Sequence, residues 1–430
     1  MAHDMDNLNA ENERLRSAVK ELAVINDILT VVSSTMPEEE ISRRLMKKVV
    51  TALDAREAAV FTFSGDAGQL RPVTFVRGKL DSASLIKTTL DIRVAGWVAK
   101  NKKPLVINDV ARDPLLGPTA AESLSVKSVL AVPLLARGKL LGALAAFDSN
   151  KPSGFNDDDI RLLAIIGVQS AQVLENARLY REEVRLKELE SELAAARKIQ
   201  SGLLPGALPL IPGYDIFAGT IPAKEVGGDF YDFISFDPDH VCFTLGDVSG
   251  KGLPAALLMA TIQGQVRVLV NRFPDLSPSH ILAELNTITC QLTTSTQYAT
   301  MLVGCISPQK GSIAIANAGH VYPLIVRADG AAVEISESAL IVGKFPQAKY
   351  ESTPCDLRPG DTLIIASDGI QDAANAGGDQ FGEDAFQNLV MTHRKLPAED
   401  LYGLVIQEVD RHRGPAEQFD DITLMIIRKI

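Results

Sequence analysis

Four patterns of apolar and polar positions follow one another along the chain. At the start Met5, Asn12, Val19 and Asn26 alternate with Leu8, Leu15, Leu22 and Leu29 in heptad spacing, which predicts a coiled-coil helix over residues 1–30. Asparagine at two of the a positions favours a registered parallel dimer, and a lone amphipathic helix packed on the next domain is the alternative. Over 31–175 strand-like and helix-like segments alternate. The apolar runs SVLAVPLL (128–135) and KLLGALAAF (139–147), joined by Ala-Arg-Gly, predict a hairpin, and a long helix follows behind the acidic cluster 157–159. Over 176–204 Leu179, Leu186 and Leu193, with Leu189, Ala196 and Leu203, return to near-heptad spacing, so this stretch predicts a helical connector that Pro205, Pro209 and Pro212 end. Its alternatives are a stiff transmitter between two domains, able to pair across a dimer, and a solvated spacer. The remainder, 205–430, sets short apolar runs of strand character beside helical ones.

Composition narrows the class of function. The 430 residues are 46% hydrophobic and 23% charged, as expected of a globular protein with two or three domains. The formal net charge of -11 argues against nucleic acid as the main partner, because Lys and Arg dominate contacts to its phosphates. Acidic excess suits divalent cations better. No uninterrupted apolar run reaches the ~18–20 residues of a membrane span and the start MAHDMDNLNAENE has no signal-peptide character, so no membrane and a cytoplasmic location are the expectation. Cys242, Cys290, Cys305 and Cys355 form no C-x-x-C pair and read as buried thiols, neither ligands nor bridges.

Three segments in order, GWVAKNKKPLVINDVARDP, SVLAVPLLARGKLLGALAAFD and FNDDDIRLLAIIGVQSAQVLENA, resemble a GAF sensory domain throughout 31–175. The resemblance implies an antiparallel sheet flanked by helices and a small-molecule or protein ligand whose identity it leaves open. No histidine lies between Asp4 and Asp239 and no cysteine precedes Cys242, so a haem imidazole and a thiol for a bilin or an iron–sulfur cluster are missing. Asn150, Lys151, Phe155 and Asp159 partly match the cyclic-nucleotide GAF pattern. Ile160 stands where that pattern has glutamate, and we read the four as capping and packing residues.

The stretch LGDVSGKGLPAALLMA, starting at Leu245, superficially suggests a nucleotide-binding loop. That loop requires G-x-x-x-x-G-K-[ST], whereas Gly246 to Gly250 is one residue short and Gly252 occupies the hydroxyl position. Asp247 has a different explanation. VCFTLG precedes Asp247, TLIIAS precedes Asp368, ITLMIIR follows Asp420 and Asp421, and Asp229 lies in EVGGDFYDF. Singly, each aspartate could belong to a turn, a helix end or a solvated loop. Carboxylates gathered at strand ends repel one another unless a cation compensates, and oxygen ligands without histidine or cysteine select magnesium or manganese over zinc.

The motifs AARKIQSGLLP, PAKEVGGDFYD, LGDVSGKGLPAALLMA, NAGHVYPL, LRPGDTLIIASDGIQDA and FDDITLMII cover 190–430 and resemble the metal-dependent protein phosphatases, the PPM or protein phosphatase 2C-like family, in its bacterial SpoIIE-like branch. The resemblance implies an α+β chain in which a helical coiled-coil connector joins the GAF domain to an α-β-β-α sandwich over 205–430. It further implies Asp229, Asp247, Asp368 and Asp420, with the Val248 carbonyl, as ligands of two Mn2+ or Mg2+ ions, and Asp372 and Asp421 as accessory groups. The implied activity is hydrolysis of phosphoserine or phosphothreonine on a STAS-type anti-sigma-factor antagonist. Eukaryotic members carry arginine five residues before the first metal aspartate. Here Lys224 stands there, a candidate phosphate contact or a solvated surface lysine, and lysine cannot make arginine's bidentate fork. His320 is read as a loop or core residue before a general acid. Two rival readings remain. GGDFYD echoes the diguanylate cyclase signature, which leaves the later aspartates unexplained, and a catalytically silent phosphatase fold could serve as a binding module.

Overall fold

The computed structural model describes residues 36–64, 71–77, 88–116, 126–237, 240–273, 277–294, 296–309 and 311–430. The coiled coil expected over 1–30 lies outside the described residues. The chain divides into two compact units, Met1–Glu188 and Leu189–Ile430.

In the first unit a five-stranded antiparallel sheet has the order β2-β1-β5-β4-β3, formed by β1 (Ala55–Ser64), β2 (Arg71–Arg77), β3 (Leu105–Ile107), β4 (Val129–Ala136) and β5 (Lys139–Ser149). The expected β4–β5 hairpin forms, and its turn places Arg137 and Gly138 at φ 49° and 79°, left-handed values that match the twist of a two-residue hairpin. Alternation along the strands gives the sheet two apolar faces. One packs Ile41, Leu45 and Val49 of α1 (Glu38–Leu53) with Leu163, Ile166 and Leu174 of α3 (Asp157–Leu203), and the other packs Val94 and Val98 of α2 (Thr88–Asn101). At the start of α3, Asn156 and Asp159 exchange side-chain to backbone hydrogen bonds and Lys151 pairs with Asp159 at 2.6 Å. Asn150 bonds Asp54 at 2.9 Å and Phe155 is buried, so all four residues of the partial nucleotide pattern cap and pack.

Helix α3 has 47 residues and runs unbroken through 176–203. It starts at Asp157, behind the acidic cluster as expected, and continues into the connector stretch because no proline separates the two. Leu186 and Leu189, two of its heptad leucines, are 55% and 52% exposed.

The second unit holds two five-stranded sheets. One has the order β13-β10-β9-β8-β7, from β7 (Phe230–Asp237), β8 (His240–Val248), β9 (Ala299–Ser307), β10 (Ser312–Ala318) and β13 (Thr353–Cys355). The other has the order β12-β11-β14-β15-β6, from β6 (Tyr214–Ile221), β11 (Leu324–Val326), β12 (Ala332–Glu334), β14 (Thr362–Ala366) and β15 (Ile422–Lys429). Their facing side chains, among them Phe243, Leu245, Leu302, Leu363, Ile365 and Met425, make one core. Outside the first sheet lie α4 (Leu253–Arg272) and α5 (Pro278–Leu292), and outside the second α6 (Glu383–Thr392) and α7 (Ala398–Arg413). The unit is therefore a helix–sheet–sheet–helix sandwich. Helix α4 is long and apolar enough to cross a membrane by length and composition, yet it sets Ala255, Met259, Ile262 and Val266 into the core against β7 and β8.

The expectation of four thiols is corrected. Register places Cys242 opposite Cys305 on neighbouring strands, and the two are disulfide-bonded, whereas Cys290 and Cys355 are free. Their 63-residue separation hid a pairing that only strand register creates.

Candidate metal centre

The sandwich topology brings the aspartates of distant motifs to one edge. β7 and β8 are antiparallel neighbours with Phe230 opposite Gly246, so Asp229, one residue before β7, stands beside Asp247 near the end of β8. In the facing sheet β14 and β15 are antiparallel neighbours with Ala366 opposite Leu424, so Asp368 after β14 and the Asp420–Asp421 pair before β15 leave from one end as well. Side chains join the two sheets there. Thr423 Oγ1 donates to Asp229 Oδ2 at 2.6 Å, and the Ser367 hydroxyl accepts from Thr423 N at 2.9 Å and donates to Asp421 O at 3.2 Å.

Asp421 is buried and organises the loop before Asp229. Its carboxylate accepts the backbone N–H groups of Ala223 at 2.8 Å, Gly228 at 2.7 Å and Asp229 at 3.2 Å. Only glycine fits at 227 and 228. A Cβ on Gly227 would fall 2.3 Å from Asp421 Oδ2, and one on Gly228 would fall 2.6 Å from the Val248 carbonyl oxygen. The Val248 carbonyl thus faces the turn that carries Asp229.

The electrostatics show what this gathering costs. Burial, and then the charge of Asp247, hold the Asp229 carboxyl well above the usual carboxylate range, against the opposing bond from Thr423. Asp247 is pushed up to about 6 by burial and by the charge of Asp368. Asp368 is exposed, yet partial desolvation and the charges of Asp420 and Asp372 raise it too. Mutual repulsion of this kind is what a bound cation relieves. Among the described residues no three His, Cys, Asp or Glu side chains converge as a ready-made ligand cluster. The donor chemistry nevertheless fits a hard divalent cation, since it is all oxygen, acidic and partly desolvated.

Asp372 is exposed and accepts from Gln380 Nε2 at 2.9 Å. Lys224 is exposed on the loop between β6 and β7. His320 is buried, with Nδ1 3.0 Å from Thr300 Oγ1, and burial lowers it to about 4, a neutral core imidazole. Three contributors escape a motif reading. Lys251 of the Gly-Lys-Gly loop pairs with Asp420 at 3.0 Å and lies 3.6 Å over the Phe419 ring. Thr423 and Ser367 sit inside quoted motifs, where their polarity within apolar runs was the available signal.

Residues 237–429 match the family model of Stage II sporulation protein E (SpoIIE), and residues 35–175 match that of the GAF domain. The chain is 27% identical over 327 residues to Protein IcfG of Synechocystis sp., covering 69% of this chain and 51% of IcfG, so it spans about half the length of that relative. It is also 27% identical over 252 residues to Phosphoserine phosphatase RsbU of Bacillus subtilis, covering 56% of this chain and 71% of RsbU. The SiaA-PP2C domain of Pseudomonas aeruginosa superposes with a TM-score of 0.52 at 22% identity, over 57% of this chain and 99% of that domain, a likeness of fold.

Proposed function

This chain is a GAF domain joined to a domain of the PPM/SpoIIE phosphatase-like fold, and on that footing we propose that it is a metal-dependent serine/threonine protein phosphatase under the control of its GAF sensor. The observation that carries the proposal is the set of four aspartates from four motifs at one edge of the sandwich, with raised carboxyl groups at Asp229, Asp247 and Asp368. In this reading Asp229, Asp247, Asp368 and Asp420, with the Val248 carbonyl, hold two Mn2+ or Mg2+ ions. Two such ions would supply Lewis acidity that lowers the pKa of water and neutralises phosphoryl charge. The protein's part is orientation. Thr423 fixes the Asp229 carboxylate and Asp421 fixes the backbone beneath it. Asp372 tunes Asp368 through its charge. Lys224 is the proposed, subordinate phosphate contact.

The similarity to Phosphoserine phosphatase RsbU supports a phosphoserine or phosphothreonine protein as substrate, and we propose one of STAS type in a partner-switching pathway. The setting proposed is cytoplasmic, with no nucleic acid or membrane partner. The exposed leucines of α3 support a homodimer paired along 176–204, and we keep a small molecule or a protein as the GAF ligand. All four ligand positions being aspartate favours an active enzyme over a silent binding module. Hydrolysis of p-nitrophenyl phosphate by the full chain tests this: turnover that needs Mn2+ or Mg2+ and stops with EDTA is expected, and a chain inert with every divalent cation offered would leave only the binding module.

A further inference from the structure

The motif AARKIQSGLLP, which closes α3, has no part in the chemistry above, yet its glutamine reaches the candidate centre. Gln200 Nε2 donates to the Gly227 carbonyl at 2.7 Å and Gly227 N–H donates to Gln200 Oε1 at 3.1 Å, so one carboxamide satisfies both backbone groups of that glycine. Gly227 lies two residues before Asp229, in the turn wedged between Asp421 and the Val248 carbonyl. The same helix end is tied on the other side of Asp229 as well. Gln263 Nε2 of α4 donates to Leu203 O at 2.8 Å and lies 3.3 Å from Asp232 Oδ2, while Arg267 holds the fully buried Asp232 through two bonds of 2.6 and 2.8 Å. The last turn of α3 therefore holds the chain directly before Asp229 and, through Gln263, is linked to the buried Asp232 after it.

We infer that Gln200 is a positioning residue for the Asp229 turn, so that cation affinity at the candidate centre depends on the last turn of α3 being docked. This rests on the metal-site reading proposed above. Hydrophobic anchoring of the helix end does not need the carboxamide, because Leu204 and Leu208 already pack against the sandwich cores. What the carboxamide adds is the fixed height of the 227–229 backbone, through a donor and an acceptor used together. Glutamate can only accept, and alanine leaves both groups of a buried glycine unpartnered.

The test is Mn2+ binding to the full chain by isothermal titration calorimetry, with folding followed by circular dichroism. The chains compared are the parent, Gln200→Ala, Gln200→Glu, and Ile199→Ala, whose native side chain is 70% exposed next door. Gln200→Ala is expected to bind Mn2+ about tenfold more weakly and Gln200→Glu about threefold, the loss of two or one modest hydrogen bonds, with Ile199→Ala unchanged. Phosphatase kcat at saturating Mn2+ should recover most of the parent value in both. A folded Gln200→Ala chain with parental affinity, or an equal loss in Ile199→Ala, overturns the inference. So does failure of both Gln200 variants to fold, which assigns the residue to fold maintenance. If the parent itself binds no Mn2+, the metal-site reading falls before Gln200 is tested.

Discussion

Replacing Asp247 with asparagine should make the metal-free protein more stable while removing its activity. The substitution keeps size and hydrogen-bonding shape and deletes a charge that the native site raises from 3.8 to about 6. The native state thus holds the Asp247 proton more tightly than the unfolded chain does. The stability this brings is fully present below 3.8 and is lost as pH rises through about 6. A shift of that size has a ceiling of about 3 kcal/mol at 1.36 kcal/mol per unit, and solvent on the open side of the site reduces it to about 1–3 kcal/mol. Urea denaturation in EDTA at pH 8 should show Asp247→Asn more stable than the parent by that amount. At pH 4.5 the difference should shrink to about a third. Saturating Mn2+ should reverse the order, because only the parent gains binding energy on the native side. A variant equally stable or less stable at pH 8, or a difference that does not change with pH, would refute the electrostatic reasoning.

Other outcomes follow from the same geometry. Inserting one residue near Glu190 rotates everything downstream by ~100° about the axis of α3, whereas seven nearly restore the heptad phase. Basal activity or sensor response should change with one and largely recover with seven, with light scattering reporting a dimer, while parental behaviour in both would make α3 a passive tether. Arg267→Ala leaves the buried Asp232 without its ion-pair partner, with Gln263 and the Phe233 N–H still donating to it, and should cost about 2–3 kcal/mol in urea unfolding, an effect whose absence would deny that pair a structural role. Because His320 is buried and lowered to about 4, the pH–rate profile should lack an inflection that disappears in His320→Gln. An inflection near neutrality lost in that variant would make it a catalytic acid or base.

Much of this site was legible one motif at a time. Asp247, Asp368 and Asp420 flank apolar runs, and strands end where such runs end, so three carboxylates at strand ends could be read without knowing the sheet, while Asp229 was visible only within EVGGDFYDF. What joins them could not be read. The opposition of Phe230 to Gly246 and of Ala366 to Leu424 is a property of register between segments, as is the pairing of Cys242 with Cys305. Gln200 on its helix looks like any polar residue of a solvated face until Gly227 comes beneath it. That the helix behind the acidic cluster 157–159 and the connector stretch are one continuous helix was legible only as two adjoining helical patterns, because no proline separates them.

Whether these aspartates make a cation-dependent phosphatase is decided by phosphate release from a phosphoserine-bearing STAS-type protein. The assay compares the parent chain and Asp368→Asn, each with Mn2+ and with EDTA. Release is expected only from the parent and only with Mn2+, with Asp368→Asn slower by orders of magnitude though still folded. Equal release by the two chains, or release by the parent that persists after exhaustive chelation, would contradict it.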